Sequence, residues 1–202
     1  MPIRSLSKGF TLVEALVSGG LVLLVLGIGY RFLVPLMKMQ VRGGERAELQ
    51  QRAALIFEDL RADMIASTTS GISLWQSSEE VLLGIHGAEN VAQDGTLVWR
   101  DWAVVYSWQK TDGTWRRAVW HDASRRRLRA AGPVRLQQSV LEQAAVEGTV
   151  TRLSSGVKGV HLEPASGGAH LSLPLACRFE LATPSGEARE VSVVLGGRLS
   201  RP

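Results

Sequence analysis

A lone carboxylate in an otherwise uncharged apolar run is the residue whose chemistry most needs explaining. Glu14 closes the segment Lys8-Gly9-Phe10-Thr11-Leu12-Val13-Glu14, where a basic, polar stub of nine residues gives way at Phe10 to an apolar stretch. No charged residue follows from Ala15 to Tyr30. An acidic group at the centre of a bilayer costs roughly 2.5–3.5 kcal/mol on insertion scales, and less near a helix end, where Glu14 falls. Two roles fit it: a carboxylate that snorkels to the interface, or one that awaits a cation on a neighbouring chain. A second candidate is the basic run Arg125, Arg126, Arg127 and Arg129, preceded by Trp99, Trp102, Trp108, Trp115 and Trp120. Arginines near aromatics can hold single-stranded nucleic acid by phosphate contact and base stacking. A solvated turn beside a tryptophan-rich sheet core explains the same residues with less, and is preferred.

Other chemistry finds little purchase. His86, His121, His161 and His170 are scattered without ligand spacing, so a zinc site is not expected. Glu79, Glu80, Asp101 and Asp122 sit in no calcium-loop pattern and read as surface carboxylates. No Gly-x-Ser-x-Gly elbow occurs. Cys177 is the only cysteine, which excludes an intramolecular disulfide. Net charge is +4, and without Arg4 and Lys8 it is +2, too little to imply a polyanionic partner. Neither catalysis nor a cofactor or metal is expected.

The elements that position these residues follow from periodicity. At about 1.5 Å per residue, Phe10 to Tyr30 is long enough as a helix to cross a hydrocarbon core of roughly 30 Å. A secretory signal has a shorter apolar core and a small-residue cleavage site after it, whereas here the polar stub comes first. Arg4 and Lys8 favour a cytoplasmic stub, an asymmetry weakened by Arg31 and Lys38 beyond the apolar run. The helix is expected to continue past Pro35, with a kink there, and past a weak point at Gly43-Gly44. Leu49, Ala53, Ile56, Leu60 and Met64 then recur at steps of three or four, the stripe of a helix laid on a sheet. Ser67-Thr68-Thr69-Ser70-Gly71 reads as its stop.

Beyond it the period shortens toward two. Strands are expected at Ile72–Trp75, Val81–His86, Leu97–Trp108, Trp115–His121, Cys177–Ala182 and Glu190–Leu195. Thr111-Asp112-Gly113-Thr114 and Pro184-Ser185-Gly186-Glu187 mark two hairpin turns. A helical turn or two is expected near Gln137 to Ala145. The stretch carrying Gly156, Gly159, Gly167 and Gly168 reads as loop. The fold class is therefore α+β, a long N-terminal helix, transmembrane and then amphipathic, packed on an antiparallel sheet.

The segment Gly9-Phe10-Thr11-Leu12-Val13-Glu14 before an apolar helix resembles the N-terminus of type IV prepilins and pseudopilins. Arg52-Ala53-Ala54-Leu55-Ile56-Phe57-Glu58-Asp59-Leu60-Arg61, Val105-Tyr106-Ser107-Trp108 and Trp115-Arg116-Arg117-Ala118-Val119-Trp120 carry a looser likeness to the J-type minor pseudopilin of type II secretion and to PilW-like minor pilins. The resemblance implies a pilin-like fold with a leader over 1–9, a transmembrane or filament-core half-helix over 10–38, an amphipathic half over 39–70 and a periplasmic β-rich domain over 71–202. It implies that a prepilin peptidase cuts Gly9–Phe10 and methylates the amine of Phe10. It implies that Glu14, fifth in the mature chain, pairs with the N-terminal amine of the adjacent subunit. The implied partners are other major and minor pilins or pseudopilins, the inner-membrane assembly platform and the lipid bilayer. The chain would be single-pass in the bacterial inner membrane, N-terminus cytoplasmic, then extracted to the tip of a pilus or pseudopilus to help initiate assembly. A pilin-like DNA-binding subunit using Arg125, Arg126, Arg127 and Arg129 is the alternative, and a tethered periplasmic enzyme a third.

Overall fold

The computed structural model describes residues 11–93, 95, 97–121, 135–164, 174–183 and 185–196. The layout is α+β, and the described residues form one long helix, one short helix and eight strands in the order α1 (Leu12–Ile65), β1 (Ser67–Gln76), β2 (Glu80–Val91), β3 (Leu97–Gln109), β4 (Thr114–His121), α2 (Gln138–Glu147), β5 (Thr149–Ser155), β6 (Val157–Pro164), β7 (Leu175–Ala182) and β8 (Ala188–Leu195). The chain divides into two compact units between Arg46 and Ala47.

In the first unit, the apolar side chains of α1 from Leu12 to Val41 are exposed, apart from the half-buried Val34. This part of the helix is long and apolar enough to cross a membrane. The helix runs unbroken through Pro35 and Gly43-Gly44.

The second unit is built by alternation. The buried residues of α1 are Leu49, Ala53, Ile56, Leu60 and Met64, the stripe expected from the sequence. They pack on Val81, Leu83 and Ile85 of β2, Val104, Tyr106 and Trp108 of β3, and Trp115 of β4. Burying the four large side chains of that stripe contributes about 6–12 kcal/mol as an upper estimate. The intervening residues Leu82, Val105 and Trp120 point to the opposite face and bury against Leu141 and Ala144 of α2. Sheet order is β1-β2-β3-β4-β5 in one sheet and β6-β7-β8 in the other. Every pairing is antiparallel. The second sheet adds Val157, Val160, Leu162, Cys177, Phe179 and Leu181 to the core that holds α1.

Both anticipated hairpins form. Gly113 takes φ 58° in the β3–β4 turn and Gly186 φ 87° in the β7–β8 turn, conformations that glycine adopts without a side-chain penalty. Three expectations need correction. A single sheet was expected, and there are two. Ser67-Thr68-Thr69-Ser70-Gly71 does end the helix, but the first strand, expected at Ile72–Trp75, already begins at Ser67 and takes in this whole segment. The glycine-punctuated stretch is not all loop: Thr149–Ser155 and Val157–Pro164 are strands, joined at Gly156, whose φ of 77° lets the chain turn from one sheet to the other.

Candidate functional site

Glu14 lies in the first turn of α1. Its Oε2 accepts the backbone N–H of Thr11 at 3.0 Å and the Thr11 hydroxyl at 3.0 Å. The Thr11 Oγ1 in turn accepts the Glu14 N–H at 3.3 Å. This reciprocal pattern is a capping box, in which a threonine and a glutamate three residues on satisfy donors that the helix itself cannot. The negative charge also faces the positive end of the helix dipole. The pattern Thr-x-x-Glu stands in the sequence, yet charge and hydropathy alone had drawn attention to Glu14 and left Thr11 without a role. Gly9 and Phe10, the expected cleavage pair, lie outside the described residues.

A second polar constellation joins α1 to the sheet. Asp63 accepts Arg117 Nε at 2.8 Å and Arg117 Nη2 at 2.9 Å, a two-pronged ion pair, and the Tyr106 hydroxyl at 2.5 Å. The side chains of Asp63 and Arg117 are 13% and 21% exposed, so water screens the pair weakly. One helical turn back, Asp59 accepts Arg152 Nε at 3.0 Å. Arg117 on β4 and Arg152 on β5 stand directly opposite each other in register. Two like charges so placed repel, and the two aspartates of α1 offset that repulsion. Arg117 also donates to the Thr151 hydroxyl at 2.8 Å. Burial, then the Asp63 carboxylate, raise the Tyr106 hydroxyl above its ordinary range and keep it a donor. Asp63 raises Arg117 further above its already high value, so the guanidinium is always charged. The Tyr-bearing and Arg-bearing strands noted in the sequence thus meet on one carboxylate of the helix, a convergence that sequence reading did not anticipate.

Beside this clamp runs a groove of about 420 Å³ between α1 and β5, lined by Arg52, Leu55 and Asp59 on one side and Trp115, Arg152 and Leu153 on the other. Asp59 and the clamp residues Tyr106 and Arg117 also border it. Among the described residues no three His, Cys, Asp or Glu side chains converge as metal ligands would.

The basic run Arg125, Arg126, Arg127 and Arg129 lies outside the described residues, as does Asp122. Of the tryptophans near it, Trp99, Trp108, Trp115 and Trp120 are buried in the faces of the first sheet. Trp102 is only partly buried and carries Arg100 over its ring at 4.8 Å. Four of the five aromatics are therefore core residues with no face free for a base. Cys177 is buried in the second sheet, and desolvation pushes its thiol up to about 12, so it is an inert core residue. His86 is fully buried, stacked on Trp99 at 5.2 Å, with Nε2 donating to the Arg100 carbonyl at 2.6 Å. Its Nδ1 has no partner among the described residues, and desolvation lowers its pKa below the ordinary 6.5, which keeps it neutral.

No protein-family model matches the chain, and no curated protein or solved structure does either.

Proposed function

We infer that this chain is a minor pilin or pseudopilin, a structural subunit that is cut by a prepilin peptidase between Gly9 and Phe10 and built into a filament at or near its tip. The observation that carries the reading is one helix end. Glu14 sits in the first turn of a helix whose apolar side chains, Val34 apart, are exposed from Leu12 to Val41, directly after the Gly9-Phe10 junction. A helix exposed on every side fits lipid first and the apolar centre of a helical filament afterwards. Its Gly19-Gly20, Gly27 and Gly29 have open space around them, which allows close approach of neighbouring helices.

In this reading Glu14 changes partner. Before assembly the Thr11 N–H and hydroxyl hold it; on assembly the methylated amine of a neighbour's Phe10 takes the carboxylate and sets axial register. The capping box keeps the charge hydrogen-bonded while it waits, which lowers the cost of holding it near lipid. The subunit would enter the inner membrane with residues 47–202 outside and help to initiate the filament with other minor subunits. Neither alternative gains an observation of this kind. The aromatic half of a nucleic-acid platform is buried, and no enclosed polar cluster of catalytic type is found among the described residues.

The test is intact mass and N-terminal analysis of the membrane-extracted protein, with and without a prepilin peptidase. A mature chain beginning at N-methylated Phe10 is expected with the enzyme. A Met1 start under both conditions overturns the reading.

A further inference from the structure

The groove between α1 and β5 combines three features that point to an extended ligand. The first is a strand edge that no described residue pairs with. Among the described residues β5 is the last strand of its sheet, and six of its seven residues are exposed. Its pairing to β4 slips between Arg117 and Ala118, so the regular part of the edge is Arg152–Ser155, the part that lines the groove. Edge strands are usually blunted by lysine, proline or a covering element. β5 has neither lysine nor proline, and its one charge, Arg152, is drawn aside to Asp59.

The second feature is an orphaned donor. Trp115 is only 3% exposed, and its indole N–H has no acceptor among the described residues. Its ring is fixed by stacking on Tyr106 at 5.3 Å and by a T-shaped contact with Phe179 at 5.0 Å. The neighbouring Trp108, by contrast, gives its N–H to the Val157 carbonyl at 3.0 Å. A buried donor without a partner is costly in a finished core, and Trp115 is the tryptophan that lines the groove.

The third feature is charge. Three arginines and one aspartate line the groove. Arg117 is committed to Asp63, but the Arg52 and Arg152 side chains are 32% and 48% exposed in their pairs with Glu48 and Asp59, so water screens those pairs more strongly and each contributes little.

We propose that this groove binds an extended, acidic polypeptide segment, which adds to this edge of β5 at Arg152–Ser155, accepts the Trp115 indole N–H with a carbonyl and meets Arg52 and Arg152 with carboxylates. Backbone pairing along an open edge supplies affinity, and the side-chain contacts supply selectivity. Leu55, which is 43% exposed on the helix wall, offers an apolar side chain to the segment. The groove draws on no residue before Arg52, so it stands whatever the fate of Gly9 and Glu14.

The full chain in detergent micelles is titrated with a fluorescent octapeptide that alternates glutamate with valine and threonine, and with its lysine counterpart. The acidic peptide is expected to bind about tenfold tighter, as like and opposite charges at an interface discriminate. At saturation, hydrogen exchange at 152–155 should slow by about tenfold or more, the mark of newly paired edge amides. With tryptophan indoles labelled with ¹⁵N, the Trp115 signal should shift while that of Trp108 stays. Arg152→Glu, at an exposed position, should weaken binding about tenfold without unfolding the chain. Equal binding of both peptides, no slowing at 152–155, or an unmoved Trp115 indole overturns the proposal. So does protection of the edge that rises with protein concentration in the absence of peptide, since a second copy of the chain would then be the occupant.

Discussion

Removing the carboxylate at the centre of the helix–sheet clamp should cost far more than removing any other single ion-paired charge among the described residues of 47–202. Asp63→Ala leaves Arg117, only 21% exposed, without its counter-ion, and strands the Tyr106 hydroxyl. Exposed ion pairs contribute about 0–1 kcal/mol, whereas breaking a buried one costs about 3–5 kcal/mol. With its partners 13% and 21% exposed, the clamp lies toward the buried limit, and about 3 kcal/mol is expected. For a chain of this size that corresponds to a fall of about 6–12 °C in Tm. Tyr106→Phe keeps the ring on Trp115 and loses one hydrogen bond to a charged acceptor, so about 1.5 kcal/mol is expected. The assay is urea unfolding of the full chain in micelles, followed by tryptophan fluorescence. A double-mutant cycle of Asp63→Ala with Arg117→Ala should return a coupling of about 2 kcal/mol, because the second substitution removes the charge the first left unpaired. Arg152→Ala, at the half-exposed partner pair, should cost about 1 kcal/mol or less. A loss below about 1 kcal/mol for Asp63→Ala, or an additive cycle, would refute the placement of this pair in a weakly screened site.

Four further outcomes are expected of the same molecule. Glu14→Ala should leave cleavage at Gly9 intact but block incorporation into filaments, scored by filament shearing and immunoblot; normal incorporation removes the register role. Gly9→Trp should leave uncut precursor in the membrane, and efficient processing would count against that junction. Gly71→Ala should destabilise the second unit by about 1–3 kcal/mol in the same urea assay, since its added carbon would lie 2.4 Å from the His86 carbonyl oxygen, whereas Gly186→Ser meets no neighbour and suffers only its backbone conformation. For His86, the folded state disfavours the proton, so its contribution is complete above the unfolded pKa of 6.5 and is lost as pH falls below it toward the depressed folded value. Thermal midpoints should therefore drop between pH 6.5 and more acid conditions, and His86→Phe should flatten that limb; an unchanged limb assigns it to another group.

What could be read in advance was whatever repeats locally. The α1 stripe obeys a period near 3.6 over Leu49–Met64, and the β3–β4 hairpin announces itself by Asp112-Gly113 between β-formers. β5 escaped because it is an edge with almost no buried side chain, so no alternation marks it. β1 began earlier than expected because Ser67–Gly71 has the composition of a breaker, while Ser67 is buried with its hydroxyl on the His86 carbonyl at 2.6 Å. The Thr11–Glu14 box was legible from spacing alone. The clamp was not, since Asp63 is separated by 43 residues from Tyr106 and by 54 from Arg117, and nothing local foretells a meeting set by sheet register.

That register has a mechanical consequence. Asp59 and Asp63 are one helical turn apart, and their arginines belong to adjacent strands. A pull along α1 therefore loads both contacts together, in shear, and divides the force between β4 and β5. Sliding the helix by one turn, about 5.4 Å, could bring one aspartate to the other's arginine, but it would leave the remaining arginine bare. The arrangement behaves like a keyed shaft: hydrophobic burial holds the helix in its seat, the weakly screened Asp63–Arg117 key resists creep, and the more exposed Asp59–Arg152 contact adds only a little to it.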